Sequence, residues 1–320
     1  MGSLSVAATA TAPAYTEVPL DRAGDRRTDP EWVAEILASG DTVVIPLWRD
    51  RCLLDAARVP LQLTGAQARL GTSVEQWVLL GLDSGGPGAG TGQRGEPAVA
   101  AADLSGLTEA AALELTGATE TAPTREPFTR LSARDAALLA CARGYLHWHR
   151  QQRYCGVCGR PTESVSGGHE RRCGPDGCGK RHFPRVEPAV IVLVEAPGPP
   201  GRCLLARHRG APPHAYSLLA GFVETGEGLE GAAVREVGEE AGVRVGSVSY
   251  VGSQGWPFPS GLMAGFHARA THDELRPDKR ELIDARWFTR DELRARVRAG
   301  HGLGPPDSLG SRMLRDWLER

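Results

Sequence analysis

Apolar positions along this chain fall into short runs cut by turn residues, with helical spacing in a few places. PEWVAEILA (Pro30–Ala38) predicts a short helix. TVVIPLW (Thr42–Trp48) predicts a strand, with Arg51–Ala56 as its hairpin partner. WVLLGLD (Trp77–Asp83) and Ala98–Leu104 read as two more strands. From Ser132 to Arg153 the spacing is helical: Ser132 can cap, and Leu138, Leu139, Ala142, Leu146 and His149 share one stripe. AVIVLV (Ala189–Val194) is continuously apolar, which suits a strand buried on both faces. RCLLARH (Arg202–His208), SLLAGFVE (Ser217–Glu224), VSYVGSQGW (Val248–Trp256) and LMAGFHARA (Leu262–Ala270) follow as strands. ARWFTRDELRARV (Ala285–Val297) ends one strand and starts a helix, and a last helix covers about Ser308–Glu319.

Composition narrows the class. The chain has 320 residues, 41% hydrophobic, with a net charge of -2. That is ordinary for a globular protein and gives no general basic field for a nucleic-acid backbone. No apolar run reaches membrane-span length. The first residues, MGSLSVAATATAPAYTEV, lack the basic start and apolar core of a signal peptide, so residues 1–29 are expected to be a disordered tail and the protein cytoplasmic. The glycine run 85–95, GGPGAGTGQRG, has no following Lys-Ser/Thr and is expected to be a flexible loop, not a phosphate cradle. His147 and His149 read as packing or surface residues.

The seven cysteines are not scattered at random. Cys155 and Cys158 form C-x2-C, and fourteen residues later Cys173 and Cys178 form C-x4-C. Two close thiolate pairs suit a tetrahedral structural Zn2+, and glycines after Cys158 and Cys178 suit the turns of a ribbon. Its few basic residues favour a scaffold role over nucleic-acid binding. Cys52, Cys141 and Cys203 stand apart and read as small packing residues.

The densest chemistry lies in Gly221–Val243, GFVETGEGLEGAAVREVGEEAGV. Glu236, Glu239 and Glu240 stand at i, i+3 and i+4, so a helix brings the three carboxylates to one face. Such a face suits a hard divalent cation, though spacing alone equally fits a solvated acidic helix with Val234 and Val237 inward. Glu227 and Arg235 have the signs to pair, and Gly242 suits a C-cap. Taken whole, the string resembles the Nudix box without a gap. Downstream, Ser253-Gln254-Gly255-Trp256-Pro257-Phe258-Pro259-Ser260-Gly261 resembles the SQPWPFPxS signature of NADH pyrophosphatases, with Gly255 and Gly261 as departures; Gly255 is expected to soften that loop.

The resemblance implies an α+β chain: a tail 1–29, a small N-terminal α+β domain 30–153, a zinc ribbon 154–184, and a Nudix α/β/α sandwich with a mixed sheet over 185–320. It implies Mg2+ or Mn2+ held by Glu236, Glu239, Glu240, the Ala220 carbonyl and Glu281, with Glu240 or Glu239 as base. Phe183, Phe222, Gln254, Trp256, Pro257, Phe258, Pro259 and Gly310 are expected to meet the substrate. It further implies a homodimer that hydrolyses the pyrophosphate of NADH or NAD+, including NAD caps on RNA; the near-neutral charge and the lack of a membrane-length apolar run add the expectation of no DNA and no membrane partner. The rival expectations are a Nudix hydrolase of ADP-ribose or other nucleotide-linked sugars, and a nucleic-acid-binding regulator with a degenerate Nudix domain. Intact box residues and near-neutral charge weigh against the second.

Overall fold

The structure, a computed structural model, describes residues 15–83, 97–198 and 201–320. The glycine run 85–95 and residues 1–14 of the expected tail lie outside the described residues. In chain order the first part comprises α1 (Pro30–Ala38), β1 (Val43–Trp48), β2 (Arg51–Leu54), β3 (Leu63–Thr64), α2 (Gln67–Leu70), β4 (Gln76–Leu82), β5 (Ala98–Asp103), α3 (Glu109–Thr116), β6 (Glu120–Pro123) and α4 (Ala133–Gln151). Three short ribbon strands follow: β7 (Thr162–Val165), β8 (Glu170–Cys173) and β9 (Arg181–His182). The last part comprises β10 (Glu187–Glu195), β11 (Arg202–His208), β12 (Leu219–Phe222), α5 (Leu229–Ala241), β13 (Val245–Trp256), β14 (Gly261–Ala270), β15 (Leu282–Thr289), α6 (Arg290–Arg298) and α7 (Leu309–Glu319).

These elements form two compact units. One holds Glu17–Arg185 together with the short segment Pro257–Ser260. The other holds Val186–Trp256 and Gly261–Arg320, with Tyr15 and Thr16. The ribbon therefore counts with the first unit.

In the second unit the sheet runs β13-β14-β10-β11-β15, with β12 also paired to β10. Its β10–β14 pairing is parallel and the other pairings are antiparallel. Alternate residues of β10 explain the layers. Val190, Val192 and Val194 pack with Ala232, Ala233, Val237 and Ala241 of α5. Leu193 packs the other way, with Leu293 of α6 and Leu309, Met313, Leu314 and Trp317 of α7. Helices on both faces are what a continuously apolar strand requires. The expected α/β/α sandwich with a mixed sheet is what forms.

The first unit repeats this plan. Its sheet runs β4-β5-β1-β2-β6, with β3 also on β1. Here too the central pair, β1–β5, is parallel and the others are antiparallel. The counterpart of α5, between the third and fourth strands, has shrunk to α2, and its surroundings (Val44, Ala66, Leu70, Ala102) are apolar. α4 appears as expected, capped by Ser132, with Leu138, Leu139, Ala142, Leu146 and His149 buried.

The expected disordered tail is corrected over residues 15–29. Tyr15, Leu20 and Ala23 are buried there, and Asp21 bridges to Leu82. These few apolar side chains find a surface on folded elements, which composition alone does not reveal. Gly255 is also corrected. It pairs with Leu262 inside the β13–β14 ladder, so its mobility is limited by strand hydrogen bonds.

Candidate active site

The acidic helix is built as its sequence suggests. Gly228 opens α5, and Gly242 closes it at φ +70°, donating its N–H to the Gly238 carbonyl. The three carboxylates do not share one environment. Glu240 is buried, Glu236 is half-buried and the Glu239 side chain is 62% exposed. Val237 points into the core while Val234 remains exposed, so the inward face is narrower than both valines suggested.

Arg235 ties the loop to the helix. Its Nε and Nη2 donate to the two oxygens of Glu227 at 2.7 and 3.0 Å. Nη2 also donates to the Phe222 carbonyl at 2.8 Å, and Nη1 to Glu236 and Glu239 at 2.9 and 2.8 Å. These bonds, those from Arg235 foremost, hold Glu227 below the usual carboxylate range. Glu240 differs. The Ala220 N–H reaches it, but its Oε2 is buried with no hydrogen-bond partner. Burial pushes its carboxyl up to about 8, with the charges of Glu236 and Glu281 adding to the effect. Burial also raises Glu236, against the pull of Arg235.

These groups open onto a cleft of about 710 Å³, lined by both chemistry and rim: Ala220, Gly221, Phe222, Glu236, Glu239, Glu240 and Glu281 among others. Gly221 allows the approach, because a Cβ there would lie 2.0 Å from the Glu236 carboxyl. Phe222 is 65% exposed and lines this cleft, where its ring can stack on a planar group.

Other expected substrate residues are placed differently. Gln254 is buried, donating to the Asp307 carbonyl at 2.7 Å and accepting from the Leu309 N–H at 2.7 Å. Its amide thus joins β13 to the start of α7. Trp256 is half-buried and does not line the cleft. Nor does Gly310, whose role is packing: a Cβ there would come 2.7 Å from Ile191 Cδ1. Pro257, Phe258 and Pro259 belong to the first unit. There the Phe258 ring meets Phe128 edge-on at 5.3 Å, under the guanidinium of Arg125, and Arg143 donates to the carbonyls of Pro257 and Pro259. Phe183 stands on the ribbon, 58% exposed, with Arg181 over its ring.

Met263, Asp278 and Arg280 also line the cleft and were not singled out from sequence. Asp278 and Arg280 sit in a run of charges, DKRE, which singles out no one residue until the backbone is folded.

In the ribbon the sulfurs of Cys155, Cys158, Cys173 and Cys178 all lie within 4.8 Å of one another. Cys155 and Cys178 are 3.6 Å apart, and Cys158 and Cys173 3.4 Å. A tetrahedral ion with metal–sulfur bonds of about 2.3 Å needs sulfurs roughly 3.8 Å apart. Gly159 and Gly179, at φ +73° and +68°, make the turns after Cys158 and Cys178. The donor set fits a structural Zn2+. The carboxylate cleft fits a hard divalent cation, since the orphaned Glu240 oxygen lacks only a positive partner.

Three family models match successive stretches of the chain between residues 41 and 304. An NADH pyrophosphatase-like rudimentary Nudix domain matches residues 41–148, an NADH pyrophosphatase zinc ribbon domain 150–183, and a Nudix domain 185–304. The chain belongs to the NADH pyrophosphatase family of the Nudix superfamily. In this family member the repeated strand order of the first unit is the structural counterpart of the rudimentary Nudix match. Among curated relatives, the NAD-capped RNA hydrolase NUDT12 of Macaca fascicularis is 38% identical over 61% of this chain and 44% of its own length. The NAD-capped RNA hydrolase NudC of Pseudomonas aeruginosa is 45% identical over 48% of this chain and 55% of its own. That of Mycobacterium bovis is 44% identical over 52% of each. The chain thus spans about half the length of the curated relatives it matches. Among the described residues no helix is long and apolar enough to cross a membrane.

Proposed function

We propose that this protein is a metal-dependent Nudix pyrophosphohydrolase acting on NADH and NAD+, giving nicotinamide mononucleotide (reduced from NADH) and AMP, and removing the same cap from RNA. The observation that carries it is Glu240: a buried carboxylate with one unpartnered oxygen, facing a cleft ringed by Glu236, Glu239 and Glu281. The substrate class rests on the family membership and on relatives named as NAD-capped RNA hydrolases.

Glu236, Glu239, Glu240, Glu281 and the Ala220 carbonyl would hold Mg2+ or Mn2+. Such ions would supply positive charge to the diphosphate and acidity to the attacking water. Water oxygen bonds to one phosphorus, the bridging P–O bond breaks, and the water proton passes to a carboxylate. Arg235 occupies Glu236 and Glu239, which favours Glu240 over Glu239 as that base. Phe222 stacks on a ring of the substrate. Gln254 and Gly310 contribute from behind, by fixing α7. The same reading includes a homodimer in the cytoplasm without DNA partners, a ribbon over 154–184 acting as scaffold, and a catalytic domain over 185–320.

A turnover assay with Mg2+ or Mn2+ on NADH, NAD+, ADP-ribose and NAD-capped RNA, beside Glu240→Gln, tests it. Wild type should hydrolyse the NAD-type substrates, and Glu240→Gln should lose about 10²-fold or more in kcat. Hydrolysis of ADP-ribose without NADH overturns the substrate assignment. Full activity in Glu240→Gln overturns the base.

A further inference from the structure

Glu281 is far from the acidic helix in sequence, yet it must present its carboxylate beside Glu236 and Glu240. The connection from β14 to β15 carries it, and that connection is fastened to one place. The Arg276 N–H donates to the Ala241 carbonyl at 2.8 Å, and the Asp278 N–H to the Glu240 carbonyl at 2.8 Å. Both acceptors belong to the last turn of α5, where a helix leaves carbonyls without internal partners. Asp278 then sets the next turn. Its carbonyl accepts from Glu281 and Leu282 at 3.2 and 2.8 Å, and its side chain accepts from the Arg280 N–H at 2.9 Å. Leu275 packs on the core beneath.

Gly242 stands between the helix end and this connection. A Cβ there would lie 2.7 Å from Arg276 Cβ and 3.2 Å from Arg276 N and Cα. These are mostly backbone atoms, so the whole connection would have to move. Gly242 thus has two separable constraints: a left-handed φ, which ends the helix, and a missing side chain, which lets the connection dock. Gly117 provides the contrast. It ends α3 at φ +76°, and nothing lies within 4 Å of its Cβ position.

We propose that Gly242 and Asp278 are positioning residues for Glu281: the open end of the acidic helix is the seat of the connection that brings the distal carboxylate into the cleft. This rests on the proposed metal role of Glu281. It predicts that enlarging Gly242 acts on metal binding through Glu281 alone.

The test is Mn2+ affinity of the full chain, by titration with electron paramagnetic resonance, for wild type, Gly242→Asn, Glu281→Gln, the double variant and Gly117→Asn. Asparagine tolerates left-handed φ, so Gly242→Asn isolates the contact with Arg276 from backbone strain. Thermal unfolding confirms that each variant is folded. Where Gly242→Asn fails to fold, Asp278→Ala, which removes the side-chain half of the turn, takes its place in the cycle. Gly242→Asn and Glu281→Gln should each weaken Mn2+ roughly tenfold or more, and the double variant should be no weaker than Glu281→Gln. Gly117→Asn should bind as wild type. Loss in Glu281→Gln without loss in Gly242→Asn, or additive losses in the double variant, overturns the seating role alone. Unchanged affinity in Glu281→Gln overturns the metal role of Glu281, and the seating role with it.

Discussion

Arg235 makes five hydrogen bonds from one guanidinium, to Glu227, Glu236, Glu239 and Phe222. A flat fork can serve these acceptors together; an ammonium on a flexible stem cannot. Arg235→Lys should therefore keep the charge and still lower kcat by roughly tenfold or more, because the groups that orient candidate ligands are lost. Steady-state kinetics beside a thermal melt decides it: wild-type kcat in a folded Arg235→Lys protein rejects the orienting role. At this scale the carboxylates were legible because helix period is a local property of the sequence. The packing of Gln254 was not: a polar residue in a signature loop gives no sign in the sequence that its amide bonds Asp307 and Leu309. The same holds for Phe258, since an aromatic held between prolines does not announce its edge-on contact with Phe128.

Among the elements, those with long periodic patterns were readable: α4, β10, β14 and α7 lie close to their expected bounds. α3 and the short strands β3 and β6 were missed, since so few residues establish no period and their pairing partners are distant in sequence. The ribbon was legible from cysteine spacing alone, as ligand geometry constrains the chain more tightly than propensity does. Its strands are too short to form a core, so the ion should supply much of its stability. Purified wild type should carry bound zinc by elemental analysis, and Cys155→Ser should lose it along with several degrees of thermal stability. Zinc-free wild type, or full zinc in Cys155→Ser, contradicts this.

Over the whole molecule, acid should destabilise the chain through two buried imidazoles. His149 Nε2 faces the Gly168 carbonyl and its Nδ1 faces Arg171; His169 Nε2 faces the Leu79 carbonyl and its Nδ1 faces Arg27. Each ring donates from Nε2 and accepts an arginine at Nδ1, which only the neutral form can do. Burial chiefly, and the neighbouring arginines, bring both down to about 4 from 6.5. Because the folded values lie below the unfolded one, the unfolded chain takes up more protons as pH falls through this window. Their contribution is intact above pH 6.5 and drains away toward pH 4, on the order of 3 kcal/mol per ring at the acid limit. Urea unfolding at stepped pH should show this decline, shallower in His169→Gln; an equal slope in both excludes His169 as a source. The repeated strand order has a different reach. One sheet supports the helix of carboxylates, while its counterpart, also packed by α1, α3 and α4, has at the equivalent place in the chain only α2 and an apolar patch. Under the proposed function, substitutions in the sheet of the second unit are expected to register in turnover, and those in the sheet of the first unit in thermal stability.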